Sequence, residues 1–205
     1  MKVQMRFQKI LVLVSLIVSI LSIVLAIIFM SGNLSDIMYY HGSPEEGGDI
    51  YGVNSFTEPA QLFCDMLLII GIVYLCCVVT LFITDTNKRR NYYITNYVST
   101  GLAVLAAVVT AVFGLIMISI LVSKFYGLDW ETLTPIMESM SGPPEEGGLG
   151  APMVTKSPAM FIIGYVIMLL PLLDAAALIL NLVWKLKLMK GEKELLEKGL
   201  VKEVA

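Results

Sequence analysis

The sequence predicts an all-α membrane protein: a four-transmembrane-helix bundle built from two tandem helix-loop-helix repeats, with short amphipathic helices in the outer loops. Three observations predict it. The chain holds four long apolar runs, its cations lie almost wholly on one side of those runs, and its two halves resemble each other at an offset of 99 residues, as between Leu34 and Leu133.

Apolar residues make up 57% of the 205-residue chain and charged ones 15%, with a mean hydropathy of +0.81. A soluble domain carries apolar content of about half or less, so these side chains must face lipid as well as one another. The runs cover residues 10–30, 60–83, 97–121 and 159–184. Each is long enough as a helix to cross a hydrocarbon core of about 30 Å, and only a helix satisfies its own backbone there.

Of the 14 Lys and Arg, Lys2, Arg6 and Lys9 precede the first run, Lys88, Arg89 and Arg90 sit between the second and third, and six lysines from Lys185 to Lys202 follow the fourth. Only Lys124 and Lys156 fall in the other two loops. This bias predicts a multi-pass protein of the cell membrane with both termini cytoplasmic. The first run is longer than a signal-peptide core, and Ile28-Phe29-Met30-Ser31-Gly32 offers no small-residue cleavage site, so it reads as a retained anchor.

The first outer loop, residues 31–59, opens with Leu34, Ile37, Met38 and His41 on one helical face. It continues through Pro-Glu-Glu-Gly-Gly at 44–48 to the pair Pro59-Ala60, where Thr57 is placed to cap the second span. The second span holds Cys64, Cys76 and Cys77, so the outer loops contain no cysteine and no disulfide. The third span carries Ala103, Ala107, Thr110, Ala111 and Gly114, a small-residue stripe that lets helices approach closely.

The second outer loop, residues 122–158, repeats the first. Leu133, Ile136, Met137 and Met140 form the helical face, Asp129 is placed to cap it, and Gly142-Pro143-Pro144 to end it. Pro-Glu-Glu-Gly-Gly recurs at 144–148 and the Pro-Ala entry at Pro158-Ala159. The chain therefore divides into a first repeat at 1–95, a second at 96–190, and a tail at 191–205 that reads as a short exposed helix.

Candidate functional residues are few. Asp174 lies near the middle of the fourth span and Asp65 about two turns inside the second; ionisable groups at such depth are costly and are functional candidates by default. Two readings of Asp174 stand side by side: a group lining an ion path, or a hydrogen-bonded acid packed on the polar face of span one formed by Ser15, Ser19 and Ser22. Asp65 reads as a rim or packing residue.

The outer loops carry minus five and minus three, and Glu45, Glu46, Glu145 and Glu146 are expected to give them an acidic surface that reads first as solvated turns and, as the alternative, as a weak site for divalent cations. His41 has no second His or Cys for a metal centre, and no catalytic motif, cofactor signature or nucleic-acid-binding pattern is present. The expected function is a non-enzymatic integral membrane subunit that presents its acidic face to a membrane-protein partner or assembles with itself in the lipid bilayer. The alternative is a cation channel or small transporter with Asp174 in the pathway.

The orientation is directly testable. In a variant whose native cysteines are replaced by Ser, a single cysteine at position 88 is expected to react with an impermeant thiol reagent only from the cytoplasmic side, and one at 45 or 145 only from outside. Outside labelling at 88 would overturn the orientation.

Overall fold

The computed structural model describes residues 2–30, 53–85, 91–140 and 158–197. Among them are α1 (Lys2–Phe29), α2 (Val53–Thr84), α3 (Ile94–Tyr126), α4 (Trp130–Met140) and α5 (Ala159–Glu197), and no strand. All but α4 are long and apolar enough to cross a membrane, so the protein is an all-α, multi-pass membrane bundle. Segments such as Ile10–Ile28 are rich in Val and Ile, which favour strands in water. In hydrocarbon an open strand edge has no partner for its amides, and the helix wins.

The helices outrun the apolar spans. α1 starts at Lys2 rather than at residue 10, because Gln4 and Gln8 are buried and carry the packed face into the basic stretch. α2 starts at Val53, so Pro59 lies inside it and not at its entrance. Val53 and Phe56 are buried one turn apart, and their packing sustains the extra turns past the proline. Thr57 is accordingly no cap: its hydroxyl donates to Asn54 O at 3.4 Å. α5 begins at Ala159 as the Pro-Ala pair predicts, with Ile162 N donating to Pro158 O at 3.0 Å. It then runs unbroken to Glu197, so the first part of the expected tail helix is its continuation. One glycine, Gly191, is too weak a breaker among Lys, Leu, Met and Glu.

α4 forms where the sequence places it. Asp129 caps it, accepting from Thr132 N at 3.2 Å and Thr132 Oγ1 at 2.7 Å, and these bonds hold its carboxyl below the usual carboxylate range. Leu133 is its buried contact, and Trp130 Nε1 donates back to Phe125 O at 2.8 Å. The matching face at Leu34 to His41 lies outside the described residues.

Three of the long helices bury residues in alternating steps of four and three. In α1 the line is Gln4, Gln8, Leu11, Ser15, Val18, Ser22, Leu25 and Phe29; in α2 it is Ala60, Cys64, Leu67, Gly71, Tyr74, Val78 and Leu81, continued by Asp85 just past the helix end; in α3 it is Asn96, Thr100, Ala103, Ala107, Thr110, Gly114, Met117 and Leu121. This is the heptad spacing of knobs-into-holes packing. The stripe of small residues on α3 falls wholly on that buried face.

By contacts the chain forms two compact units. The first comprises Met1–Ile20, Ile70–Ala111 and Leu169–Ala205; the second comprises Leu21–Ile69 and Val112–Met168. The first has a core of short side chains around one large one: Val12, Val78, Ala103, Ala107, Ala175 and Leu178 pack with Tyr74. The second is aromatic. Phe29 meets Phe63 at 5.4 Å and Phe161 at 5.8 Å, and Phe125 meets Phe161 at 5.1 Å, Phe56 at 5.6 Å and Trp130 at 4.9 Å between ring centroids. Three of these pairs, Phe29–Phe63, Phe125–Phe161 and Phe125–Trp130, are edge-to-face, a geometry that contributes about 0.5–1.5 kcal/mol each beyond buried area.

In the second unit Gly114 lies directly against Met168, so a Cβ at 114 overlaps the Met168 side chain. Gly114→Val is therefore expected to destabilise the protein in detergent by about 1–3 kcal/mol through overpacking. Met168→Ala in the same chain should recover part of that loss. Equal thermal stability of wild type and Gly114→Val would show that the contact carries no weight.

Candidate functional site

Asp174 is placed by α5, 15 residues after the start of that helix, on its buried side. It is 4% exposed. Both carboxyl oxygens are engaged: Ser15 Oγ on α1 donates to Oδ1 at 2.7 Å, and Tyr74 OH on α2 donates to Oδ2 at 2.5 Å. Ser15 Oγ also reaches Leu11 O at 3.0 Å. A hydroxyl has one proton, so when Ser15 gives it to Leu11 the contact with Asp174 is made by a proton on the carboxyl itself. The arrangement thus accommodates a neutral acid with every polar atom paired.

The polar face of α1 is buried at Ser15, Ser19 and Ser22, all 0% exposed. Ser15 binds Asp174, while Ser19 turns back to Leu16 O at 2.8 Å. Asp65 stands exposed on α2, outside the core of its unit, rather than in a packed position. Glu45, Glu46, Glu145, Glu146 and His41 lie outside the described residues.

A second polar assembly in the same unit as Asp174 escapes the sequence reading. Gln4 Nε2 donates to Gln8 Oε1 at 2.9 Å and to Asn181 Oδ1 at 3.0 Å, and Asn181 Nδ2 donates to Gln8 Oε1 at 3.2 Å, closing a ring of three amides. Gln8 Nε2 donates to Asn96 Oδ1 at 3.1 Å, Asn96 Nδ2 to Thr84 Oγ1 at 2.9 Å, and Tyr92 OH to Gln4 Oε1 at 2.8 Å. α1, α2, α3 and α5 each contribute at least one group. The signal was in the sequence: Gln4, Gln8, Asn96 and Asn181 extend the buried lines of their helices outward by one or two steps.

Lys185 belongs to this assembly. The first of the six lysines after the fourth span, it is 1% exposed, donates to Asn96 Oδ1, and lies 4.7 Å from the centroid of the Tyr97 ring and 5.6 Å from that of Tyr92. A buried ammonium needs such partners because it has left its hydration shell. Asp85, 3% exposed, is held close enough for its charge to be felt by Lys185 and Lys9. Burial pushes its carboxyl up to about 6, against the pull of those two lysines. Asp85 Oδ1 and Asn91 Oδ1 have no hydrogen-bond partner among the described residues.

Chemically, these groups hold helices together. Among the described residues no three His, Cys, Asp or Glu side chains gather as a metal site requires. No known family, curated protein or solved structure matches this chain.

The raised pKa of Asp85 sets a sign for stability against pH. Its folded value lies above its ordinary 3.8, so its favourable contribution is complete below about 3.8 and is lost as pH rises through about 6. Asp85→Asn is expected to leave thermal stability unchanged near the lower value and to raise it relative to wild type above the upper one. A stability difference that does not change across that window would refute the assignment.

Proposed function

We propose that this protein is a non-enzymatic integral membrane subunit, which presents an acidic extracytoplasmic surface to a membrane-protein partner or to further copies of itself, with both termini cytoplasmic. One observation carries the reading. Asp174, the acid near the middle of the fourth span, spends both oxygens on Ser15 and Tyr74 inside the packed core. An acid that lines a conduction path has to meet ions and water, whereas this one joins three helices.

The buried amides and Lys185 support the same reading, since they too are consumed in pairing α1, α2, α3 and α5 with one another. What remains for recognition is the surface. The long helices turn Leu13, Ile17, Ile69, Leu105, Ile116, Leu173 and Leu180 outward, a face suited to lipid or to another membrane helix. The paired glutamates of the loops supply an acidic face for a partner of opposite charge. The rival reading, a cation channel or small transporter through Asp174, draws on the depth of that acid.

Substitution separates the two. Asn at 174 retains an acceptor and gains donors, so Ser15 and Tyr74 keep partners, whereas Leu leaves the Tyr74 hydroxyl unpaired. Under the subunit reading Asp174→Asn is tolerated, Asp174→Leu lowers stability by about 1–2 kcal/mol, and wild-type protein in vesicles shows no cation flux. Flux in wild type that Asp174→Asn alters without loss of assembly would establish the channel.

A further inference from the structure

The first turns of α1 divide among three surfaces. Gln4 and Gln8 enter the amide ring and Val3, Phe7 and Ile10 are exposed apolar side chains. Lys2, Arg6 and Lys9, each one residue before a member of that apolar trio, are exposed cations. Spaced at i, i+4 and i+7, they lie on one face and, with Met5, line an open cavity of about 330 Å³. Neither Lys2 nor Arg6 has an ion-pair partner among the described residues, and Asp85 is the acid whose charge reaches Lys9.

From this juxtaposition we propose that Lys2, Arg6 and Lys9 form a binding site for the phosphate headgroup of an anionic phospholipid in the leaflet nearest the N-terminus. The chemistry fits a phosphodiester: Arg6 offers a planar fork for two oxygens, and Lys2 and Lys9 place a charge one turn to either side. Three cations exceed what a zwitterionic lipid needs, since its own ammonium already offsets its phosphate. A free anion satisfies the cations but makes no use of the apolar strip running beside them. A lipid uses both, its headgroup on Lys2, Arg6 and Lys9 and its acyl chains running inward from Ile10 past the exposed Leu13 and Ile17.

The direction of the basic strip is fixed by the fold. Gln4 is held by Asn181 and Tyr92, and Gln8 by Asn96 and Asn181, so α1 cannot turn about its axis without breaking those bonds. The three cations therefore project from a helix whose rotation is set before the lipid arrives, and the site needs little ordering to form.

Native mass spectrometry of the full chain, released from micelles doped with equal phosphatidylglycerol and phosphatidylcholine, tests this. Wild type is expected to retain phosphatidylglycerol with a preference on the order of tenfold. Lys2→Gln/Arg6→Gln/Lys9→Gln should abolish that preference, and Lys187→Gln/Lys190→Gln/Lys193→Gln should leave it. Should the first triple variant fail to fold, Arg6→Gln alone is expected to reduce the preference several-fold. Undiminished preference in the folded α1 variants, or its loss only in the α5 variant, overturns the site. Displacement of the lipid by inorganic phosphate at equal concentration likewise overturns it, because the site then takes a free anion.

Discussion

Lipid chains are as apolar as leucine, so an apolar side chain gains little by facing another helix instead of the bilayer. A transmembrane helix learns which way to turn from its few polar groups and its few small ones. α1 illustrates the constraint: Leu11, Val18 and Leu25 are buried while Leu13, Ile17 and Ile20 are exposed, and hydrophobicity alone does not separate the two sets. What separates them is alignment with Gln4, Gln8 and Ser15, whose hydrogen bonds to Asn181, Asn96 and Asp174 have no substitute in hydrocarbon. The rotations of the other long helices, and hence their exposed faces, follow from the same bonds.

The two compact units meet this constraint with different chemistry. The first uses carboxyl, amide and hydroxyl groups set among alanines, so that backbones come close enough for short side chains to bond across. The second has a cluster of Phe side chains from all four long helices, whose edge-to-face geometry supplies direction of its own. Gly114 belongs to the same scheme, since the Met168 side chain occupies the space its missing Cβ leaves.

What was legible in the sequence was what is locally determined. Hydropathy found four spans because length and composition suffice, and the Asp129 cap of α4 was readable because capping depends on residues three apart. The Ser15 side of Asp174 was also visible, from serines at helical spacing. Helix ends were not, because α2 is extended past Pro59 by the burial of Val53 and Phe56, a tertiary effect. Tyr74 gave no signal, because an aromatic inside an apolar run ordinarily packs and nothing local marks its hydroxyl as bonded. The amides at Gln4 and Gln8 were hidden by the cations around them, which made the stretch look like a solvated flank, and the burial of Lys185 was hidden in the same way among the lysines that follow it.

The unbroken course of α5 has a mechanical meaning. Because α5 is continuous from Asn181 through Glu194, the azimuth of every residue along that stretch is keyed to the amide ring, at about 100° per residue. Lys187, Lys190 and Lys193 leave the bundle in a set phase, as teeth on a shaft whose bearing is Gln4 and Gln8. Whatever grips that end, whether a protein or a charged surface, engages a shaft that cannot spin freely, and a twist applied there is delivered as torque to the hydrogen bonds of Asn181.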